Sequence, residues 1–239
     1  MKNNAKNILG ALTLSCIVFA GCGRAIKPSS NITKEKRPLT DFSGIEASNA
    51  FTVYVNITDH EGIELEANEN LHEYIIIEKA GDKLVIRLQD HIHIMGHPVL
   101  NVNVSAKKLN DFMASGASNF ILQDTLKTDD IKIKLSGASH FNGPLETKNL
   151  GAELSGAASL DLTGTSEFFE LKESGASSAG GFDFVCKNLK THFSGASKAR
   201  LTVNEKLAVE ASGASELTYK GTAMVISQDL SGASSLHKR

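Results

Sequence analysis

The chain has 239 residues, of which 41% are apolar, 22% charged and 6% aromatic, with a formal net charge of −2 at pH 7 and no Trp. That length and apolar share suffice for a sizeable buried core, which excludes a disordered or collagen-like chain. The nearly balanced charge, with no basic block, excludes a nucleic-acid-binding protein.

Residues 1–21 read as a secretory signal, with Lys2 and Lys6 as the basic front and an apolar run, Ile8 to Ala20, too short to span a bilayer comfortably. The run ends in Val18-Phe19-Ala20-Gly21-Cys22, and small residues directly before a Cys resemble the bacterial lipobox. That resemblance implies lipidation of Cys22, which becomes the mature N-terminus and ties the protein to a membrane. Gly23 stands where lipoproteins held at the inner membrane often carry Asp, so an outer-membrane location, periplasmic or surface-facing, is expected. Loss of the signal takes the formal charge to −4, since it removes two Lys and no acid. Cys16 leaves with the signal and Cys22 carries lipid, so Cys186 has no partner and reads as a small buried hydrophobe beside Phe184 and Leu189. Residues 22–40 are polar and basic, with Pro28 and Pro38, and read as a lipidated flexible tether.

From 41 to 114 the apolar residues alternate as in half-buried strands: Phe51-Val53-Val55, Ile63-Leu65-Ala67, Leu84-Ile86-Leu88 and Leu100-Val102-Val104. Tyr74 to Ile77 is a continuous apolar run, which predicts a strand buried on both faces, and Ala80-Gly81-Asp82 predicts a hairpin turn. Ala47-Ser48-Asn49-Ala50-Phe51 looks like a diverged copy of Ala114-Ser115-Gly116-Ala117-Ser118-Asn119-Phe120. No segment from 41 to 239 carries sustained helical periodicity.

From 115 to 239 the chain repeats. Ser-Gly-Ala recurs at Ser115-Gly116, Ser136-Gly137, Ser155-Gly156, Ser174-Gly175, Ser194-Gly195, Ser212-Gly213 and Ser231-Gly232, at intervals of 21, 19, 19, 20, 18 and 19 residues. A period near twenty is too short for paired helices or propeller blades and fits one turn of an all-β solenoid. Mostly apolar residues fall five, three and one places before the Ser in four copies, as in Ile131, Ile133 and Leu135, and five places after it, as in Phe120, Phe141 and Leu160. Lys132, Lys134, Glu153, Glu170, Lys172, Lys190 and Glu210 take the outward phase. Each repeat is therefore expected to be a strand, a small-residue corner, a second strand and a polar turn, the turns at Asn142-Gly143-Pro144, Gly164-Thr165-Ser166 and Lys220-Gly221-Thr222. Gly supplies the positive φ of the corner, and small neighbours let coils stack at strand spacing. Residues 41–114 are then the cap and first coils of the same solenoid, since terminal repeats are commonly atypical. The repeat at Ser174 departs from the others: Glu173 replaces an apolar residue, and Ser178-Ala179-Gly180-Gly181 predicts a loosened coil.

The stretch from Phe42 onward resembles the putative auto-transporter adhesin, head-GIN-type domain of bacterial envelope proteins. The resemblance is carried by Phe42-Ser43-Gly44-Ile45, Val53-Tyr54-Val55, Lys83-Leu84-Val85-Ile86, and Leu109-Asn110-Asp111-Phe112 leading into Ala114-Ser115-Gly116-Ala117-Ser118. It implies a right-handed parallel β-helix with no catalytic residues and no cofactor.

Three groups of residues are candidates for chemistry. His91 and His93 share one face of a strand, and a turn at Gly96 brings His97 towards them, a set able to hold Zn²⁺. Sugar cleavage needs two carboxylates about 5 to 10 Å apart in a groove, whereas Asp129, Asp130, Glu146, Asp161, Glu167, Glu170, Glu173 and Asp183 are spread, with Glu153 and Glu173 at comparable positions of successive coils. Phe182, Tyr219 and Tyr54 are candidates for sugar stacking. The resulting expectation is an envelope protein with a structural or adhesive role and no catalysis, binding polysaccharide or an envelope protein, and able to self-associate through an open solenoid end. The alternatives are a polysaccharide-acting enzyme and a metal-binding periplasmic module.

Overall fold

The computed structural model describes residues 24–239. The expected signal at 1–21, the expected lipidation site Cys22, Gly23 and Cys16 lie outside the described residues. What is described is 64% strand and 3% helix, a β-solenoid of about 7 turns.

The N-terminal part comprises β1 (Arg24–Ile26), β2 (Ile32–Arg37), β3 (Gly44–Ala47), β4 (Thr52–Ile57), β5 (Gly62–Asn68), a 3₁₀ turn (Glu69–Tyr74), β6 (Ile75–Ala80), β7 (Lys83–Leu88), β8 (Ile92–Ile94) and β9 (Leu100–Ala106). The coils follow as β10 (Asp111–Ala114), β11 (Asn119–Leu122), β12 (Leu126–Leu135), β13 (His140–Leu154), β14 (Ser159–Glu173), β15 (Ser178–Ala179), β16 (Phe184–Phe193), β17 (Lys198–Ala211), β18 (Glu216–Lys220), β19 (Met224–Leu230) and β20 (Ser235–Lys238). Every pairing from β10 to β20 is parallel.

The alternation sets the core. Ile131, Ile133 and Leu135, then Leu150, Ala152 and Leu154, then Leu189, Thr191 and Phe193 all point inward and are buried. Phe112, Phe120 and Phe141 pack as a cluster, with Phe112 edge-on to Phe120 at 5.3 Å and to Phe141 at 5.1 Å. Cys186 is free and buried as expected, and burial pushes its thiol up to about 12, so it packs as an inert small hydrophobe.

The expected turns are absorbed by the strands. Asn142-Gly143-Pro144 lies within β13 and Gly164-Thr165-Ser166 within β14, while Gly221-Thr222 does break the ladder. Each coil sits in register on a copy of itself, so the inter-coil hydrogen bonds continue through a bend. Gly164 makes such a bend possible: its φ is +106°, and a Cβ there would lie 2.2 Å from the Leu145 carbonyl oxygen.

The N-terminal part departs most from expectation. Residues 24–37, within the expected tether, form two strands. β2 pairs antiparallel with β5 over Ile32–Asn68 to Arg37–Ile63, and β1 pairs parallel with β8. The pairing partner of β2 lies some thirty residues away, and its alternating Lys and Glu are those of a charged edge strand rather than a linker. Tyr74 to Ile77 is not buried on both faces: Tyr74 ends the 3₁₀ turn, and β6 is an edge strand paired only to β7, with Ile76 and Ile77 half-buried. The hairpin between β6 and β7 turns at Gly81-Asp82 as expected, with Gly81 at φ +66°. The coils here are also not stacked in chain order. The β3–β4 coil lies between β7 and β9 on one side and β10 and β11 on the other, so the chain doubles back before the regular coils begin.

Candidate functional site

The Ser-Gly-Ala corners stack into one column. Each corner Gly has φ between +68° and +76°, and each Ala N–H donates to the carbonyl of the Gly one coil earlier, at 2.7 Å from Ala138 to Gly116 and from Ala214 to Gly195. A Cβ on Gly195 would fall 2.5 Å from the Gly175 oxygen, so glycine is required twice over, by conformation and by the neighbouring coil. At the foot of the column Asn49 takes the same conformation, φ +71°, and its carbonyl accepts from Ala117 N–H at 2.6 Å.

The two serines of each corner differ. The first is half-buried or exposed, and at Ser136, Ser174, Ser194 and Ser212 its hydroxyl reaches a carbonyl of the preceding coil, as in Ser212 Oγ to Phe193 O at 3.3 Å. The second is buried in all but the last corner: Ser197 and Ser215, with the half-buried Ser234, donate to the carbonyl three residues back at 2.7–2.8 Å, and Ala158 takes the place in one coil. Among the described residues no corner Ser hydroxyl is hydrogen-bonded to a His, although the His192–Glu210 pair lines a small pocket beside Ser194 and Ser212, and the column's hydrogen bonds are those of a structural corner.

Beside the first serines runs a groove of about 640 Å³ crossing six coils, with the outward row Glu46, Met113, Lys134, Glu153, Lys172 and His192 as its wall. Lys134 and Glu153 pair at 3.1 Å, and His192 Nδ1 meets Glu210 at 2.9 Å. These pairs are half-exposed, so each contributes little to stability. A second groove, about 650 Å³, follows another edge of the coils, where Glu146 pairs with Lys127 at 2.8 Å, Asp129 with Lys148 at 3.0 Å and Glu167 with Lys187 at 3.3 Å.

Glu173 and Glu153 do not occupy comparable positions. Glu153 faces out, whereas Glu173 takes the inward phase between Leu154 and Phe193 and is 3% exposed. Neither of its carboxylate oxygens has a partner. Burial alone pushes its carboxyl up to about 8, so it is neutral at pH 7. Glu153 and Glu46 line the same groove, but among the described residues no second carboxylate contributes to that shift.

One trio escaped the sequence reading. His140 Nδ1 contacts both Ser159 Oγ and, at 3.6 Å, Asp161 Oδ2. A hydrolytic relay needs the serine on one ring nitrogen and the acid on the other. Here both meet Nδ1, so the trio is not a relay.

The histidine set is not assembled. His91, His93 and His97 are exposed, and among the described residues no group of three His, Cys, Asp or Glu side chains is placed to hold a metal. Ile92 and Ile94 pack on the core, and the alternating histidines project to solvent. The aromatic candidates fare no better: Tyr219 is buried, and Phe182 is half-buried under Lys220 Nζ at 4.3 Å from its ring centre. Tyr54 is half-buried on β4. The exposed aromatic is Phe168, whose signal was the pair Phe168-Phe169 on an alternating strand, which must send one ring outward. The loosened coil lies where expected: β15 is two residues long, and the β16–β17 register shifts between Cys186 and Asn188.

A family model described as putative auto-transporter adhesin, head GIN domain matches residues 41–223. Three crystal structures share the fold. A putative adhesin from Bacteroides fragilis NCTC 9343 is 16% identical with a TM-score of 0.82, over 90% of this chain and 100% of its own. A putative lipid binding protein from Parabacteroides distasonis ATCC 8503 is 16% identical with a TM-score of 0.74, over the same shares. A putative adhesin from Parabacteroides merdae ATCC 43184 is 20% identical with a TM-score of 0.70, over 90% and 99%. No curated protein is significantly similar to the chain. No helix of the described residues is long and apolar enough to cross a membrane.

Proposed function

The chain belongs to the putative auto-transporter adhesin, head GIN domain family, and from that membership we propose a lipid-anchored β-solenoid of the cell envelope with a structural or adhesive binding role and no catalysis. The observation that carries the reading is the corner groove, which runs past six coils and offers its polar wall at strand spacing, roughly 4.8 Å per coil. Such a periodic wall suits an extended polymer or a partner protein better than a compact substrate. Lipid on Cys22 would anchor the molecule just before β1 begins at Arg24, so the cap end faces the membrane and the last coil points away. Against cleavage stand the ion-paired acids of the second groove and the inward burial of Glu173.

The test has two arms. Cys22→Ser is expected to move the protein from the membrane fraction to the soluble fraction, and an unchanged distribution overturns the anchor. Cell-envelope polysaccharide and isolated envelope proteins, presented separately, are expected to retain the protein without release of sugar products. Product release would replace the adhesive reading with the enzyme.

A second reading has its own observation. The outer edges of β19 and β20 have no strand partner among the described residues, and Met224, Val225 and Ile226 are exposed there in succession. A second copy of this chain, paired edge to edge, would cover them. Concentration-dependent sedimentation is the expected sign, and a monomer at all concentrations refutes it.

A further inference from the structure

β14 carries Phe168 and Phe169 in succession, and the strand period sends them to opposite faces. Phe169 is buried edge-on to Phe184 at 5.7 Å, while Phe168 is 54% exposed. The other exposed large apolar residues are Ile32 on β2, Met95 just after β8, and Met224 to Ile226 on β19, all in the N-terminal cap or the last coil. Phe168 is the one in the middle of the regular coils, where nothing in the fold asks for an uncovered ring.

Its surroundings are set by register. Asp130, Asn149 and Phe168 lie side by side on β12, β13 and β14, and Lys132, Gly151 and Glu170 lie side by side two residues further on. All six positions face outward. They form a grid of three strands by two residues, roughly 10 by 7 Å. Gly151 leaves a gap in it. Its φ is not positive, and a Cβ there would meet nothing nearer than the Ile131 oxygen at 4.0 Å, so neither conformation nor packing calls for glycine. What its missing side chain provides is space: the grid floors a depression of about 620 Å³, within the range of small-ligand sites.

The polar groups around the gap are ordered and directional. Asn149 Nδ2 donates to Asp130 Oδ1 at 2.8 Å, which fixes the amide and leaves its oxygen free to accept. Lys132 makes no ion pair among the described residues, while Glu170 is held by Lys172 at 3.6 Å. Asp82 and Asp111 also lie on the rim, Asp111 paired with Lys83 at 2.8 Å, so Asp82 and Asp130 remain against the one unpaired lysine, Lys132.

We infer that this depression is a saccharide subsite, in which Phe168 stacks on the apolar face of a neutral or amino-substituted hexopyranose and Asp130, Lys132, Asn149 and Glu170 bind its hydroxyls. An aromatic face with planar amide and carboxylate groups at its edge matches a pyranose, which is apolar on its flat sides and polar around its rim. The excess of carboxylates selects against uronic-acid polymers. The inference rests on the adhesive reading and gives it a ligand class.

The experiment measures binding of the full chain to three immobilised polymers: a neutral dextran, a chitosan oligomer and a polygalacturonate. Dextran or chitosan is expected to bind and polygalacturonate is not. Phe168→Ala, and Gly151→Trp, which fills the gap, are each expected to weaken binding about tenfold or more. Phe182→Ala, remote from the grid, leaves it unchanged, and thermal midpoints confirm that all three variants fold. Binding that survives both grid variants overturns the subsite and leaves the adhesive reading standing. Preference for polygalacturonate, or no binding to any of the three polymers, overturns the saccharide assignment, while retention by envelope proteins would still uphold adhesion.

Discussion

Residues 24–114 and residues 115–239 use one alternating strand pattern and keep opposite kinds of interior. In the first part the only buried polar residue is Asn68, and it is satisfied on both sides, donating to Ser29 O at 2.8 Å and accepting from Val99 N–H at 2.7 Å. In the second part lie all the others, from Ser118 to Ser215, and Ser118, Ser166, Glu173 and Thr191 have buried side-chain oxygens with no partner, against Arg37 Nε alone in the first part. The first part closes its end with antiparallel strands and charged edges, while in the second the outer edges of β19 and β20 have no strand partner among the described residues. An interior bounded by irregular neighbours has to satisfy each polar group one at a time. Stacked copies already carry a full backbone ladder through every corner, and that continuous ladder lets the second part retain buried hydroxyls and even a buried acid.

The largest test of this contrast is the acid. Glu173 has its folded value raised from 4.5 to about 8, so the folded state binds the proton more tightly than the unfolded chain. Its contribution is fully present below pH 4.5 and is lost as pH rises towards 8, on the order of 1.4 kcal/mol per unit. Denaturant midpoints are expected to fall over that window in the wild type, and to lose most of that fall in Glu173→Leu, which should be the more stable protein at pH 8. A wild-type profile flat from pH 5 to 8 would contradict the burial.

Next in size is the corner. Gly195→Val forces a positive φ and a clash with the Gly175 oxygen, and is expected to cost about 3 kcal/mol in urea unfolding. A smaller effect is expected at the open edge, where Val225→Lys with Ile226→Lys should weaken self-association about tenfold in sedimentation without lowering the thermal midpoint. The smallest belongs to the counterpart corner in the first part. Asn49→Gly keeps the conformation and loses the bonds that Asn49 Oδ1 accepts from Leu88 N–H at 2.9 Å and, at the exposed surface, from Ser48 Oγ at 3.2 Å, a cost of about 1 kcal/mol. If Asn49→Gly proved as damaging as Gly195→Val, the two parts would not differ in the way described.

What could be read from residues alone follows the same divide. In the coils, period and alternation located the corners, the inward columns, the odd Glu173 and the loose coil at Gly180, because each coil is bounded by a near copy of itself. Asn49 could be recognised as a corner for the same reason. β2 could not: Ile-Thr-Lys-Glu-Lys-Arg has one apolar residue, and its strand exists because β5 lies beside it. Nor could the doubling back of β7 and β9 beneath β3 and β4, which no local pattern encodes. Phe168 was legible too, unlike Phe182, Tyr219 and Tyr54, because two adjacent Phe on one strand cannot both face the core.

The register between coils has a consequence for how such a molecule can vary. From Ser136 to Ser231 each corner Ser sits 18 to 20 residues after the last, and its N–H donates to the coil immediately before it. Removing residues 155–173 would therefore bring Ser174 onto Leu135 as Ser155 sits now, with the corner glycine still under a glycine carbonyl. Length is thus an adjustable quantity in this architecture, set by duplication or loss of whole coils, while the cap has one form and is kept or lost entire.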